Sequence, residues 1–456
     1  MIEAIVILLS IILLIAYLKL GKNLSRPSII YIGGFWACSI VAYLWKEEWG
    51  LHKMSGGTLF LIVGGALLFF LVEWRDYRTH ALVEERETLE EIAPLHPISS
   101  LKLVLFFFFQ LLSFYMLSKA KMAYAATDDL ATALLEINND EKFNDTLVIL
   151  PRHVTYSYQL CRLAGYIWCI LLPYYQFASS KYKKQKYLIA LNLITIIVGI
   201  VFSGSRMGIL YYLISYFCFY YICYQYKNGW RWVRLPKKVM AVIIFIGILF
   251  GLLFQSLTSA VGRGESDQSI EMYLAIYCGA QIKNLDDYIQ YPFKQGNRKN
   301  LFAQYTLCDF YNNIGQRQGS TQSRQYSADL AFNSYGAYPL GNVYSAYYNY
   351  YLDFGYWGII CAGIMSFVLA IMYRKVLKSN FWETGRIDFG LIFYSWLIPY
   401  AFLCFFANAF WGFFSIEGVI KSLLMFWLIL FYLQGKESFQ GEYLALYQDI
   451  NDKGGE

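Results

Sequence analysis

Residues 2–20 read IEAIVILLSIILLIAYLKL: one acid near the start, one base near the end, and almost nothing but aliphatic side chains between them. A bilayer core about 30 Å thick is crossed by roughly 17–25 residues of α-helix at about 1.5 Å per residue. No water reaches the backbone in hydrocarbon, so each N–H and C=O has to bond within its own segment or within a closed barrel. Barrel strands alternate polar and apolar residues, and this run does not, so it reads as a membrane-spanning helix. It follows Met1 with no basic leader and no small-residue cleavage pattern. It is therefore expected to be a retained first span, not a removed signal.

Outward from this stretch, the pattern recurs near residues 29–46, 55–73, 101–118, 159–178, 187–204, 207–226, 238–257, 354–373, 388–407 and 416–433, which gives about eleven candidate spans by the length rule. Composition agrees. Of 456 residues, 57% are hydrophobic and 15% charged, and the mean hydropathy is +0.39; a soluble domain carries roughly 25% charged residues. The expected fold class is all-α, a polytopic membrane helical bundle forming a single domain over residues 1–456. Lys and Arg favour cytoplasmic connections. Here they cluster as Lys19, Lys22 and Arg26; Arg75, Arg78 and Arg86; Lys181, Lys183, Lys184 and Lys186; Lys227, Arg231, Arg234, Lys237 and Lys238; and Arg374, Lys375, Lys378 and Arg386. With the spans as given, all of these fall on one side. The N-terminus is then expected outside and the C-terminus in the cytoplasm. Three connections are long: a cytoplasmic one at 74–100, an external loop at 119–158 and a large external loop at 258–353. The last is long enough to imply a function, and its Tyr and Phe content argues for an ordered cap.

Several chemistries find no support. GxxxxGK[ST] is absent, so an ATP-driven pump is not expected. There is no HExxH and no defensible Ser/His/Asp spacing, and only His153 of the four histidines lies in a substantial external loop. No CxxC or His/Cys cluster suggests a metal, and neither a cofactor nor a nucleic-acid partner is expected. Seven of the nine cysteines sit in apolar runs as packing residues. Cys278 and Cys308 share the large loop, where an external location permits a disulfide, with free thiols as the alternative.

The informative residues are arginines on the external side. Arg206 stands in Phe202-Ser203-Gly204-Ser205-Arg206-Met207-Gly208, between two spans joined almost without a loop. An ionised side chain at a bilayer edge is costly and marks function by default, although snorkelling to lipid phosphate would also place it there. The large loop adds Arg263, Arg317 and Arg324, against the positive-inside bias. An anionic ligand at the outer face accounts for them economically, since guanidinium binds phosphate through a planar fork. Glu265 and Asp267 follow Arg263 closely; each reads first as a salt-bridge partner or helix cap, and as a candidate general base if it is buried beside a substrate hydroxyl. Tyr344, Tyr347, Tyr348 and Tyr351 recur at helical spacing just before a span, as an aromatic belt or as a stacking platform for a sugar chain.

Asn342-Val343-Tyr344 through Tyr351-Leu352-Asp353-Phe354-Gly355-Tyr356-Trp357-Gly358 resembles the signature before a late span in Wzy-type polymerases of O-antigen and capsular repeat units. Ser203–Gly208 resembles that family's Ser-Arg turn, which O-antigen ligases share. Tyr273 through Tyr277, with Gly279 and Asn284-Leu285-Asp286, resembles the start of its large external loop. The resemblance implies a GT-C-like membrane glycosyltransferase of the bacterial plasma membrane. Its donor and acceptor would be undecaprenyl-pyrophosphate-linked oligosaccharides, without nucleotide sugar or metal, and a flippase and a chain-length regulator would be its partners. On that reading Arg206, Arg263, and Arg324 or Arg317, in that order, stabilise the departing pyrophosphate. Glu265 or Asp267 supplies the base, Asp353 fixes the start of the helix or assists at the site, and Tyr273, Tyr277, Tyr344 and Tyr348 contact sugar. The ligase reading expects a histidine in the large outer loop, and residues 258–353 contain none. The same chain could also serve as a flippase of lipid-linked sugars or as a scaffold of an export complex.

Overall fold

A computed structural model describes residues 1–80, 87–142, 148–201, 203, 207–241, 245, 247, 269–296, 301–318, 325–412 and 414–435. The principal helices are α1 (Ile2–Lys19), α2 (Pro27–Leu44), α3 (Gly56–Thr79), α4 (Ser100–Tyr124), α5 (Leu130–Lys142), α6 (Arg152–Gln176), α7 (Lys183–Val201), α8 (Met207–Lys227), α9 (Ile270–Gln290), α10 (Cys308–Arg317), α11 (Ala346–Phe354), α12 (Ile359–Leu377), α13 (Phe389–Phe402) and α14 (Ile416–Gln434). A single short antiparallel hairpin, β1 (Asn333–Tyr335) and β2 (Tyr338–Gly341), completes the described elements.

The helices are apolar on two faces at once. In α1, Ile5, Leu9, Ile12 and Ala16 are buried in the bundle, while Ile7, Ile11, Leu14 and Leu18 are exposed along the opposite side. The same outward stripe recurs in α4 (Leu101, Leu105, Phe108, Leu112) and in α7 (Tyr187, Leu191, Ile194, Val198). A water-facing helix carries polar residues on its outer face. Apolar residues there place the helix against lipid, and the protein is an all-α, multi-pass membrane protein.

Seven helices among the described residues are long and apolar enough to cross a membrane: α1, α2, α3, α4, α7, α8 and the continuous run from α11 through α12. The count of eleven is not reached, for identifiable reasons. The run at 238–257 lies mostly outside the described residues. The last two candidates are helices of 10–17 apolar residues, Phe389–Phe405 and Gly418–Gln434. The stretch 159–178 is helical as α6, but it is an interior helix, buried along most of Cys161–Tyr175 and diluted by polar residues in its first half.

The connections gather at two ends. At one, Leu89 N donates to Lys227 O (2.8 Å), Ile92 N to Phe177 O (3.0 Å) and His96 N to Thr384 O (3.1 Å), and Asn23 Nδ2 donates to the Tyr373 hydroxyl (2.7 Å). The basic connections of the sequence meet here. At the other, Ser55 N donates to Asp286 Oδ1 (2.8 Å) and Asn408 Nδ2 donates to Thr306 O (2.8 Å); this is the cap end. The cap does not merely sit over the bundle. Its helix α9 packs along α2, where a side chain at Gly279 would come within 2.9 Å of the Ala42 backbone nitrogen. Polar residues of α9 that such packing buries find partners: Asp286 accepts from Thr58 Oγ1 (2.7 Å) and Asn284 Nδ2 donates to Val343 O (2.7 Å).

Candidate functional site

Helix α6 brings a charge into the bundle. Tyr158, Arg162 and Tyr166 follow one another at i, i+4 spacing and so share one face. The Arg162 guanidinium lies over the Tyr158 ring at 5.7 Å, and the phenols of Tyr212, Tyr400 and Tyr166 lie within electrostatic reach of it. These rings pack on each other, with centroids 5.1 Å apart for Tyr166–Tyr212 and 4.8 Å for Tyr211–Tyr400. Tyr212 also donates its hydroxyl to the Arg162 carbonyl at 2.7 Å, fixing the backbone beneath the guanidinium. Among the described residues no carboxylate lies within ion-pair distance of Arg162. A charge held inside a membrane bundle without a counter-ion is costly. Aromatic faces offset part of that cost; an anionic ligand would offset more.

Arg162 opens onto a cavity of about 660 Å³, within the range of about 300–1,000 Å³ usual for ligand sites. Gln159, Arg162 and Tyr166 form one wall, Trp396 and Tyr400 of α13 another, and Ser415, Lys421 and Ser422, at and within α14, a third. The cap supplies the roof: Asp309, Asn313, Gln316 and Arg317, spaced along one face of α10. Ser415 caps α14 by accepting from Gly418 N (2.9 Å), which sets Lys421 one turn into the helix. Among the described residues three cationic side chains thus share the cavity with one carboxylate. The excess of positive charge suits an anion, and the hydroxyl, amide and aromatic lining suits a sugar.

The predicted site residues fare differently. Arg317 lines the cavity. Arg206, Arg263, Glu265, Asp267 and Arg324 lie outside the described residues. Tyr273 is buried on α9, and Tyr277 stacks on Phe406 at 5.9 Å; neither lines the cavity. Tyr344 and Tyr348, read as an aromatic belt or a stacking platform, are buried. Tyr348 donates to Asp329 O (2.6 Å) and accepts from Gln295 Nε2 (2.9 Å), and Tyr344 donates to Ala331 O (3.0 Å). Burial pushes the Tyr344 phenol up to about 12, so it stays protonated and able to donate. Both side chains tie the segment 329–331 to the chain at the start of α11. Cys278 and Cys308 are free thiols, so no disulfide joins them.

Asp353 is a structural anchor. Its carboxylate accepts from Tyr305 N (3.1 Å) and Thr306 N (2.5 Å), two residues that are themselves buried. Asp353→Ala would leave both donors without an acceptor, and buried orphans cost about 1–3 kcal/mol each. The expected outcome is a lower thermal midpoint in detergent together with faster amide exchange at Tyr305 and Thr306. Unchanged exchange there would show that the carboxylate holds nothing.

Sequence reading passed over Arg162 and Lys421. The usable signal was their position, since each is an ionised residue inside a candidate span, at 159–178 and 416–433. A second space, an open crevice of about 780 Å³, is walled mainly by apolar residues of α1, α2 and α8. It has the character of a slot for hydrocarbon, and among the described residues it carries no titrating acid or base beyond tyrosine and cysteine. Comparison with known protein families, with curated proteins and with solved structures yields no match for this chain.

Proposed function

We propose that the protein is an oligosaccharide repeat unit polymerase: a membrane glycosyltransferase that moves a growing glycan from undecaprenyl pyrophosphate onto a new lipid-linked repeat unit. The observation that carries this reading is the cavity shared by Arg162, Arg317 and Lys421 at the cap end of the bundle. A diphosphate leaves without needing a proton, but its developing charge has to be held. Fixed guanidinium groups in a water-poor site do this strongly. The helix that follows the Ser-Arg turn in sequence, α8, packs Tyr211 against Tyr400, which lines the same cavity.

On this reading the fold is a GT-C-like bundle of about eleven spans, with the stretch at 238–257 among them. The basic end is cytoplasmic by the positive-inside rule. The cap end then faces outward from the bacterial plasma membrane, with the N-terminus outside and the C-terminus inside. A flippase and a chain-length regulator would work beside it, the one supplying repeat units and the other limiting the polymer. No metal-ligand cluster is found among the described residues, and the reading calls for neither metal nor nucleotide.

The test is a reconstitution. Purified protein in lipid receives a single type of undecaprenyl-pyrophosphate-linked repeat unit and no nucleotide sugar. The expected result is a ladder of glycan lengths with release of undecaprenyl pyrophosphate in step. Folded protein that forms no ladder with its cognate unit overturns the reading. Movement of the unit across the bilayer without a ladder would establish a flippase instead.

A further inference from the structure

The apolar crevice between α1, α2 and α8 ends at a cationic mouth, and we infer that it seats an anionic glycerophospholipid, with an acyl chain in the crevice and the phosphate at Lys22 and Arg234. The inference needs only the membrane bundle and stands apart from the polymerase reading.

The walls select a hydrocarbon chain. Leu13, Leu14, Ile29, Ile30, Ile214 and Phe217 supply much of the lining. The polar groups of Ser10 and Trp36 are already satisfied: Trp36 Nε1 donates to Ser10 Oγ (2.8 Å), and Ser10 Oγ donates to Val6 O (2.7 Å). Gly33 faces open space, where an added Cβ would meet no atom within 4 Å. Leu14 and Leu24 stay exposed at the edge, so the crevice opens sideways to lipid. Its α2 wall, from Ile29 to Ala37, rises about 12 Å. That is close to one leaflet, roughly 15 Å of hydrocarbon. The lining comes from the later part of α1, the early part of α2 and the later part of α8, which is the end where the basic connections gather.

The mouth selects an anionic headgroup. Lys22 Nζ lies over the Trp232 ring at 5.2 Å, and the Arg234 guanidinium lies over the same ring at 5.6 Å. Trp232 Nε1 donates to the Tyr17 hydroxyl (3.1 Å), and Tyr17 lines the crevice, as do Leu24 beside Lys22 and Leu235 beside Arg234. Both cations are exposed, and among the described residues neither has a carboxylate within ion-pair distance. Two like charges on one indole repel each other, and a phosphate between them offsets that cost. The Tyr17 hydroxyl proton has no acceptor among the described residues, so it can donate to the same phosphate. Basic pockets between membrane helices hold anionic lipid headgroups in this way. The cavity of Arg162, Arg317 and Lys421 lies at the opposite end, under the cap. A lipid anion held there cannot also place its charge at Lys22 and Arg234.

Thermal unfolding of the full chain in detergent tests this, by titration with dioleoyl phosphatidylglycerol and with dioleoyl phosphatidylcholine, which share chains and differ in charge. The anionic lipid should raise the midpoint saturably through mass action, and the zwitterionic one far less. Each cation beside an anionic lipid is worth about fivefold in affinity, so Lys22→Gln with Arg234→Gln should weaken phosphatidylglycerol binding about 30-fold. Lys184→Gln should leave it unchanged. Gly33→Leu fills the crevice and keeps both cations, and it should also abolish the saturable shift. Each variant is read against its own lipid-free midpoint. Equal shifts with the two lipids, or wild-type affinity for phosphatidylglycerol in the double charge variant or in Gly33→Leu, overturn the site. Displacement of phosphatidylglycerol by undecaprenyl phosphate at equal concentration overturns it too, and gives the crevice to a polyprenyl chain. Should a variant not fold, native mass spectrometry of the wild type decides: preferential retention of phosphatidylglycerol from an equal mixture supports the site, and equal retention refutes it.

Discussion

Arg162→Ala is expected to lower ladder formation by about 10²–10³-fold, the loss seen when one preorganised donor to a developing anion is removed. The guanidinium is placed before any ligand arrives, over the Tyr158 ring at 5.7 Å and within electrostatic reach of the phenols of Tyr212, Tyr400 and Tyr166. Little reorganisation is therefore needed as charge develops. Arg162→Lys should recover only a small part of the loss. An ammonium is a compact point charge that cannot present the planar fork, and it packs less well between aromatic rings. Lys184→Ala, an exposed position at the basic end, should leave the rate unchanged. A binding measurement separates a charge role from a packing role. Undecaprenyl pyrophosphate should raise the thermal midpoint of wild type through mass action and do so far less for Arg162→Ala. An Arg162→Ala protein that still forms ladders at near the wild-type rate would remove this cavity from the mechanism.

The membrane class was legible because it depends on bulk properties. A run such as residues 2–20 has to be a helix wherever water is absent, and no tertiary detail alters that. Order in the large loop, to which α9 belongs, could likewise be read from its Tyr and Phe content. The packing of α9 along α2 could not, since that depends on Gly279 admitting the Ala42 backbone, a pairing of residues far apart in sequence. The same limit governs the tyrosines. Spacing placed Tyr344 and Tyr348 on one stripe correctly but could not tell whether that stripe met a ligand or the segment 329–331. Arg317 was found because it departs from the positive-inside bias. Arg162 was not, because a length rule that tolerates a few charges averages over the very residue whose cost makes it informative.

At the opposite end of the bundle, removing one member of the Arg26–Glu73 pair is expected to destabilise the protein by about 3–5 kcal/mol. The two side chains are almost fully buried and approach to 3.7 Å. Arg26 is sandwiched between the rings of Tyr77 (4.6 Å) and Tyr373 (4.8 Å). Glu73, from α3, accepts from Ser28 N at 2.6 Å, in the first turn of α2. A carboxylate there satisfies an otherwise unpaired helix-end donor and complements the positive end of the helix dipole. The geometry is still imperfect, since Arg26 Nε and Glu73 Oε1 have no hydrogen-bond partner. The pair therefore contributes little net stability relative to an uncharged replacement, while either charge alone is a heavy liability. Arg26→Met strands the carboxylate, and Glu73→Gln strands the guanidinium. Arg26→Met with Glu73→Gln removes both charges and keeps an acceptor for Ser28, so the double variant should be more stable than either single one. Thermal unfolding in detergent across this four-protein cycle reads the coupling directly. Additive losses, with the double variant as unstable as the two single losses combined, would mean that the charges do not depend on one another and that α2 and α3 are held in register by packing alone.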